Sequence, residues 1–298
     1  MRIGLVIGLN GNEGDKPAPG WDQIRAQVHA AEAAGFDLVV LEDALYFDGL
    51  GMWEAMATAG AIAAATSTIG LSHSVINAPL RPAALVAKGA VTLDEISGGR
   101  YTLGVGAGNS PDDYRAFAIA ADPRYSRFAD SIRIISDLLR GGYVDFAGEY
   151  QTALDTRLYP RGPRAAGPPI VIAAGGPRMI RLSARYGDGW NWWGGANDGP
   201  NHLAGLVAEL EKACEEESRD PATLERSLDV YSVDILGITG SDRPDHVLAG
   251  SVEQIADSLL GLRDFRIDEV RIDAAAPPPQ RAAAAAALTD VVRLVHTG

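Results

Sequence analysis

One stretch decides the fold: Thr92-Leu-Asp-Glu-Ile-Ser-Gly-Gly-Arg-Tyr-Thr-Leu-Gly-Val-Gly-Ala-Gly-Asn109. Its pattern predicts the end of a helix, a sharp turn at Gly98-Gly99 and a buried strand from Tyr101 to Val105. Glycines follow at the carboxyl end of that strand, where α/β proteins place their binding groups. We therefore expect a glycine ledge, Gly104 to Asn109, that can hold a flat ligand.

Apolar strand-like runs alternate with helical patterns along all 298 residues, which is typical of βα units around a parallel sheet. The predicted strands are Ile3 to Leu9, Leu38 to Glu42, Ile69 to Ile76, Tyr101 to Val105, Ile170 to Ala174, Gly189 to Trp192, Leu228 to Leu236 and Val270 to Ile272. The predicted helices are Trp21 to Ala34, Met52 to Ala65, Ala83 to Ile96, Arg124 to Leu139, Met179 to Tyr186, Leu203 to Glu217, Val252 to Gly261 and Pro279 to His296. Eight such units favour a single α/β domain over residues 1 to 298, a (β/α)8 TIM barrel; the alternative is two ordinary domains.

Two segments interrupt this alternation: the loop after Gly108 and the stretch from Gly142 to Gly167. Both are too long for plain connections. Loops at the carboxyl ends of barrel strands cover the active site, and long loops are usually functional. The second segment follows a helix and so begins at the opposite face, where we expect a structural strap.

The composition excludes several classes of partner. The formal net charge of -13 argues against nucleic acid, because binding phosphates needs clustered Lys and Arg. No apolar run has the length of a membrane span, and the start, Met1 to Gly8, leads directly into a strand without an export signal. The single cysteine, Cys214, excludes a disulfide within the chain. We expect a cytoplasmic protein that binds neither nucleic acid nor membrane.

The segment Ala173-Ala-Gly-Gly-Pro-Arg-Met179 leads from a predicted strand into a predicted helix. Pro177 suits the first helical position, and free backbone N–H groups before it point at incoming charge. With the helix dipole, Ala174, Gly175, Gly176 and Pro177 form a predicted phosphate site that needs no basic side chain, although Arg178 or Arg181 can assist. The alternative is a tight turn that binds nothing.

Two strand ends carry titratable side chains. His73 can act as an acid, a base or a hydrogen-bond donor to a substrate, or it is a structural histidine satisfied by backbone partners. Asp43, next to Glu42 at the end of the second strand, can anchor a ligand or a loop. We expect no metal site, because the sequence contains no closely spaced set of His and carboxylate ligands.

Tryptophans and early glycines suggest two further possibilities. Strand alternation in Gly189-Trp-Asn-Trp-Trp-Gly-Gly195 sends Trp190 and Trp192 to one face and Trp193 to the other, so these rings wall a planar ligand or pack the barrel. Gly8, Gly11 and Gly14 follow the first strand, but their spacing is not G-x-G-x-x-G. This spacing disfavours a Rossmann domain.

Taken together, these segments resemble the luciferase-like monooxygenase family, whose members are TIM barrels that use a flavin or the 5-deazaflavin coenzyme F-420. The opening stretch is similar to the family motif D-x-x-S-G-G-R-x-x-L-G-V-G, Ala30 to Asp43 to its first helix and second strand, and Thr66 to Leu71 to its third strand. Weaker similarities follow in the family's order at Arg127-Phe128, Phe146 to Tyr150, Ala184 to Trp190 and Gly250 to Ile255. The resemblance covers nearly the whole chain and interprets the two long segments as a substrate lid and the characteristic insertion.

The resemblance implies a binding site at the barrel mouth. It places the ring of FMN or F-420 against Ser74, Val75, Gly106, Ala107, Gly108 and Asn109, and the phosphate on Ala174, Gly175, Gly176 and Pro177. Members often have a non-proline cis peptide bond in a bulge of the third strand, and Ser74-Val75 is the candidate here. Because the cofactor performs the difficult chemistry, the protein needs only a few polar groups, for which His73, Asn109 and Asp43 are the candidates.

The resemblance also implies a small-molecule substrate, a homodimer and a separate reductase that supplies reduced cofactor. One departure concerns the family's deazaflavin-dependent dehydrogenases, which often follow the Asp of the second strand with a catalytic His; here Ala44 follows Asp43. FMN and F-420 remain alternatives, as do hydride transfer and oxygen-dependent monooxygenation. Two other hypotheses are a non-catalytic flavin-binding barrel and a metal-dependent barrel hydrolase.

Overall fold

The computed structural model describes residues 1–12, 17–44, 46–47, 50–193, 200–238, 247–274 and 276–298. The strands in these ranges are β1 (Arg2–Ile7), β2 (Asn10–Gly11), β3 (Leu38–Leu41), β4 (Tyr46–Phe47), β5 (Leu50–Met52), β6 (Gly70–His73), β7 (Ile76–Asn77), β8 (Tyr101–Gly106), β9 (Tyr143–Ala147), β10 (Thr152–Arg157), β11 (Ile170–Ala173), β12 (Gly189–Trp193), β13 (Glu225–Val233), β14 (Val247–Leu248) and β15 (Glu269–Ala274). The helices are α1 (Trp21–Ala34), α2 (Ala55–Ala65), α3 (Ala83–Ser97), α4 (Pro111–Ala116), α5 (Arg124–Gly141), α6 (Pro177–Tyr186), α7 (Pro200–Glu216), α8 (Val252–Leu260), α9 (Arg281–Ala287) and α10 (Thr289–Thr297).

Eight of these strands form a closed parallel barrel in the order β1, β3, β6, β8, β11, β12, β13 and β15. Two pairings close it: Ile170 of β11 lies opposite Leu103 of β8, and Arg2 of β1 lies opposite Glu269 of β15. The described helices follow the strands around the barrel, so the predicted TIM-barrel fold is confirmed.

The two faces of the barrel strands differ in chemistry. The outer face carries large apolar side chains, such as Ile3, Leu5 and Ile7 of β1, which belong to the hydrophobic core packed under the helices. Strand alternation points the intervening residues at the barrel axis. Those residues are small or polar in several strands: Gly4, Ser72, Gly104, Asn191, Ser227, Asp229, Glu269 and Arg271. The barrel interior therefore contains a polar column in place of layers of branched apolar side chains.

Acidic residues close the amino-terminal end of the barrel. Asp37 precedes β3 and its carboxylate accepts from the backbone N–H of Ile3 at 2.7 Å. Asp188 precedes β12 and accepts from Ile170 at 2.7 Å, and Asp268 precedes β15 and accepts from Arg226 at 2.9 Å. Each carboxylate thus satisfies a backbone N–H near the start of the neighbouring strand, which would otherwise cost free energy when buried.

Helix ends follow the sequence signals. Gly35 and Gly98 end α1 and α3 in the left-handed conformation, with φ of +84° and +65°. The Oγ of Ser251 accepts from the backbone N–H of Gln254 at 3.3 Å and begins α8. The sharp turn predicted at Gly98-Gly99 is thus confirmed.

Several element boundaries differ from prediction. The third predicted strand is interrupted after His73, because the chain bulges at Ser74-Val75 before β7. Helix α2 begins at Ala55, since Met52 belongs to β5. The final helix is two helices, α9 and α10. The expected strap is an antiparallel hairpin of β9 and β10, and sequence reasoning missed the small sheet of β2, β5 and β4.

Candidate functional site

One arc of the barrel mouth is continuous. The chain leaves β6, crosses Ser74-Val75 and continues as β7, where Asn77 lies opposite Gly106 of β8. The Ser74-Val75 peptide bond is cis, as the resemblance implied. A Cβ on Gly106 would lie 2.6 Å from Cγ2 of Val75 and 3.6 Å from Cβ of Ala173. The Ser74-Val75 bulge, the glycine ledge and the end of β11 are therefore immediate neighbours.

The ledge glycines make room for this bulge. A Cβ on Gly104 would overlap the carbonyl oxygen of His73, and one on Gly108 would overlap the side-chain amide of Asn77. Gly108 also has φ of +67°, a conformation that favours glycine. The sequence predicted that these glycines leave open space for a flat ligand. In the structure they let the chain from His73 to Asn77 pack closely, so the bulge forms much of the surface beside the mouth.

The turn from β11 to α6 presents unpaired backbone donors. The N–H of Ala174 donates to the carbonyl of Asn191 at 2.9 Å, whereas the N–H groups of Gly175 and Gly176 have no hydrogen-bond acceptor among the described residues. Pro177 is the first residue of α6, and a Cβ on Gly176 would meet no atom within 4 Å. Open space beside free N–H groups at a helix N-terminus is suited to an anion.

Two arginines near this turn have different partners. The guanidinium of Arg178 stacks on the ring of Tyr125, with Cζ 3.7 Å from the ring centroid. Arg181 forms an ion pair with Glu216. Of the two arginines expected to assist at the turn, Arg181 is thus engaged by helix α7, while exposed Arg178 extends from the first turn of α6.

His73 does not reach the mouth. Its side chain is 0% exposed and lies on the outer face of β6 with Leu71, and its Nδ1 is 2.8 Å from Oη of Tyr101. Burial lowers the pKa of His73 to about 4, so the ring is neutral near neutral pH. This geometry fits the structural alternative and gives no support to His73 as an acid or base acting on a ligand.

Asp43 anchors a loop. Its Oδ2 accepts from Nη1 of Arg81 at 2.6 Å and from the backbone N–H of Asn77 at 2.9 Å, and its Oδ1 accepts from Nη2 of Arg81 at 2.8 Å. These bonds tie the end of β3 to the segment around β7. Of the two roles expected for Asp43, the structure shows the loop anchor.

Asn109 is exposed at the end of the ledge, two residues before the short helix α4. The ledge behind it is fixed by Tyr114, whose Oη donates to the carbonyl of Ala107 at 2.6 Å. Burial raises the pKa of Tyr114 to about 12, so this hydroxyl keeps its proton at neutral pH. Among the three candidate catalytic residues, Asn109 is the one that faces solvent at the mouth.

Sequence reasoning missed the polar residues inside the barrel. The hydroxyl of Ser74 donates to Oδ2 of Asp229, and Arg271 lies between Asp229 and Glu269. Polar residues at alternate positions of an otherwise apolar strand were the available signal, at Ser227 and Asp229 in β13 and at Glu269 and Arg271 in β15.

The tryptophans divide as alternation predicted. Trp190 is buried and its Nε1 donates to the carbonyl of Ala174 at 2.8 Å, while Trp192 packs beside the His202 ring. Trp193 is 72% exposed. Trp190 therefore packs the barrel, whereas Trp192 adjoins the turn before α6, where a Cβ on Gly175 would lie 3.6 Å from its ring. Gly194, Gly195 and the early Gly14 lie outside the described residues.

The described ranges contain neither a cluster of metal ligands nor a helix that could span a membrane. No group of three or more His, Cys, Asp or Glu side chains there could hold a metal ion. In the same part of the chain, no helix is long and apolar enough to cross a membrane.

Comparisons with known proteins point to one family. The family model for luciferase-like monooxygenases matches residues 1–233 of this chain. The F420-dependent hydroxymycolic acid dehydrogenase of Mycobacterium tuberculosis is 31% identical over 223 residues, which are 71% of this chain and 59% of that protein.

Two solved structures share the fold. An F420-dependent secondary alcohol dehydrogenase in complex with an F420-acetone adduct superposes with a TM-score of 0.83 at 20% identity, covering 99% of this chain and 98% of the other. A type II Baeyer-Villiger monooxygenase component from Pseudomonas putida in complex with FMN superposes with a TM-score of 0.74 at 16% identity, covering 98% and 97%.

Proposed function

Because the chain belongs to the luciferase-like monooxygenase family, we propose that it is an oxidoreductase that uses FMN or the deazaflavin coenzyme F-420 on a small organic substrate. The observation that carries the proposal is the arc of the mouth on which the Ser74-Val75 bulge, Gly106 and the end of β11 adjoin. The M. tuberculosis relative depends on F420 by name, and one structure of the same fold holds FMN.

The turn before α6 suits the cofactor phosphate. Gly175 and Gly176 offer backbone N–H groups without an acceptor in the described chain, and the space above Gly176 is open. The partial positive charge at the start of α6 adds to their attraction for an anion. Ala174 and Pro177 complete this site by fixing the strand end and the first helical position.

The ring would be held by the arc next to this turn. Ser74 and Val75 would support it from the bulge, and Gly106, Ala107, Gly108 and Asn109 from the ledge. When bound, the cofactor supplies hydride transfer or, in its reduced form, reaction with molecular oxygen. The protein orients the ring and excludes water, and Asn109 offers an amide to substrate or ring. His73 and Asp43 support the strand and loop behind the site.

Titration with both cofactors tests the proposal. FMN and F-420, each oxidised and reduced, are added to the purified protein while ring absorbance is followed. We expect one of them to bind and to turn over with a member of a panel of alcohols, aldehydes, ketones and amines. If neither cofactor binds in either redox state, the proposed function is wrong.

A second candidate is a non-catalytic flavin-binding barrel. It is favoured by the structural engagement of His73 with Tyr101 and of Asp43 with Arg81, which leaves Asn109 alone among the three candidate catalytic residues. Tight binding of FMN without turnover across the panel, under both hydride-transfer and oxygen-dependent conditions, would select this candidate.

We further propose that the protein works in the cytoplasm as a homodimer, and that a monooxygenase reaction would draw reduced flavin from a separate reductase. Buried Cys214, the only cysteine, is consistent with a reducing compartment. Sedimentation equilibrium of the purified chain tests the dimer, and turnover with chemically reduced FMN in place of a reductase tests the need for a partner.

A further inference from the structure

A column of charged side chains runs through the barrel and ends at the bulge. Nη2 of Arg2 lies 2.7 Å from Glu269, and Nε of Arg271 lies 2.7 Å from Glu269 and 3.6 Å from Asp229. The column ends where the Ser74 hydroxyl donates to Asp229. The side chains of Arg271 and Asp229 are 1% and 10% exposed, so these interactions are shielded from bulk water.

Because Arg2 also pairs with Glu269, Arg271 can act as a counter-charge of Asp229. Arg2 pairs with Glu269 at the amino-terminal end of the barrel, so Arg271 is not the sole counter-charge of Glu269. Burial raises the pKa of Asp229, whereas Arg271 and the Ser74 hydroxyl oppose that rise. Arg271, whose Nε lies 3.6 Å from Oδ1 of Asp229, favours the ionised carboxylate, and an ionised carboxylate can only accept hydrogen bonds. Asp229 therefore fixes the direction of the hydrogen bond from Ser74.

This direction determines what Ser74 offers to a ligand. A serine hydroxyl has one proton and two lone pairs, and the proton of Ser74 is used by Asp229. The backbone N–H of Ser74 is also used, because it donates to the carbonyl of Leu41 at 2.8 Å. The side chain of Ser74, which lies next to the mouth, can therefore only accept a further hydrogen bond.

We propose that Ser74 accepts a hydrogen bond from a ring N–H of the bound flavin or deazaflavin, and that Asp229 is the positioning residue that fixes this polarity. The inference rests on the proposed function, since it needs the ring at the mouth. It assigns a role to an inward-facing carboxylate that the proposed binding site does not use. A ring N–H is present in both cofactors, so the inference does not depend on the choice between them.

The chain contains a matched control for Ser74. Ser72 lies on β6, two residues before Ser74, and faces inward; it is fully buried, and its hydroxyl donates to the carbonyl of His73 at 3.5 Å. It has the chemistry of Ser74 without a contact to Asp229. Removing this hydroxyl is therefore a test of general packing effects.

A double-mutant cycle tests the proposal through cofactor affinity. We expect Ser74→Ala to weaken binding of FMN or F-420 by about 5- to 10-fold, the loss of one hydrogen bond, and Ser72→Ala to change it by less than about twofold. Asp229→Asn should weaken binding by a similar factor in the native background but by less than about twofold in the Ser74→Ala background. Equal effects of Asp229→Asn in both backgrounds, or no effect of Ser74→Ala, would overturn the proposal.

A pH titration covers the case in which Asp229→Asn does not fold. The groups that face Asp229 are Arg271 and Glu269 from β15, Asn191 from β12 and Ser74. Protonated Asp229 no longer requires the Ser74 proton, and burial raises the pKa of Asp229, so the advantage of wild type over Ser74→Ala should shrink as the pH falls. Titration of the cofactor phosphate cancels in this ratio. A ratio that does not change with pH contradicts the role of Asp229.

The proposed function and the role of Asp229 can fail separately. If the wild-type protein binds neither cofactor, the proposed function fails. If it binds one of them and the cycle shows no coupling between Ser74 and Asp229, the proposed function stands and this inference fails.

Discussion

The two ends of the barrel differ in how their polar groups are hydrogen-bonded. At the amino-terminal end, the guanidinium of Arg100 donates to the carbonyls of Ser97, Ile69, Ala63 and Thr66 at 2.5 to 3.1 Å. One oxygen of Glu32 accepts from the segment Ser67 to Ile69 at 2.7 to 3.0 Å. At the carboxyl-terminal end, the N–H groups of Gly175 and Gly176 have no acceptor in the part of the chain that the structure describes. The hydrogen-bonded amino-terminal end stabilises the fold, and the carboxyl-terminal end is available to a ligand.

The stretch Thr92 to Asn109 spans both ends of the barrel. Its first half places Asp94 against Arg164 and Arg100 against the loop before β6, so it acts in stability. Its second half, after strand β8, supplies the ledge from Gly106 to Asn109. A single motif therefore combines a structural half with a half proposed to bind the cofactor, and the strand between them sets their separation.

The largest expected effect lies at the amino-terminal end. The side chain of Asp94 is 0% exposed and its main ionic partner is Arg164. Arg164→Met leaves a buried carboxylate without that partner, so we expect the free energy of unfolding to fall by about 3 to 5 kcal/mol. Arg181→Met, which breaks the exposed pair with Glu216, should cost about 0 to 1 kcal/mol. Urea denaturation of both variants measures the difference; equal losses would contradict the contrast.

The next effect lies at the mouth. Gly176 has φ of -116°, which other residues adopt, and open space at its Cβ position. Gly176→Asp should weaken cofactor binding by about 10- to 100-fold, because it places a carboxylate at the proposed phosphate site. Gly176→Asn has the same shape without the charge and should bind better than Gly176→Asp. Fluorescence titration measures both, and identical affinities would exclude a phosphate at this turn.

The third effect concerns His73, which directly precedes the bulge in sequence. It tests whether the role of His73 is structural. His73→Phe leaves the buried hydroxyl of Tyr101 without its partner and should cost about 1 to 3 kcal/mol of unfolding free energy. The double variant His73→Phe/Tyr101→Phe should recover part of this loss, because both polar partners are then absent. Cofactor affinity should stay within about twofold. If the free energy of cofactor binding falls by more than the free energy of unfolding, His73 belongs to the binding site.

The smallest effect depends on pH. Burial by itself would raise the pKa of Glu32, but hydrogen bonds from Thr68, Ile69 and Ser67 lower it to about 2 from 4.5. The unfolded chain therefore takes up the proton first, and the stabilisation is full above about pH 5 and is lost as the pH falls toward 2. Since Glu32 is only partly buried, Glu32→Gln should cost about 1 kcal/mol at neutral pH. Thermal unfolding at several pH values should show this difference narrowing below about pH 4.5.

The fold was largely predictable because its signals are local. Apolar runs and helix caps such as Gly98 and Ser251 repeat along the chain and have the same meaning in most proteins. The site was less predictable because it depends on contacts between distant residues. Asp43 and Arg81 are adjacent only in the folded barrel, as are Ser74 and Asp229. The bulge at Ser74-Val75 came from the resemblance, since apolar periodicity predicted an unbroken strand there.

Hydrogen–deuterium exchange with and without cofactor tests the central claim most directly. FMN or F-420 should slow exchange in peptides that cover residues 74–77, 106–109 and 175–179, and should leave the loops at 66–69 and 97–100 unchanged. Protection confined to those amino-terminal loops, or no protection at the mouth by a cofactor that binds, would contradict the assignment of binding to one end of the barrel and stability to the other.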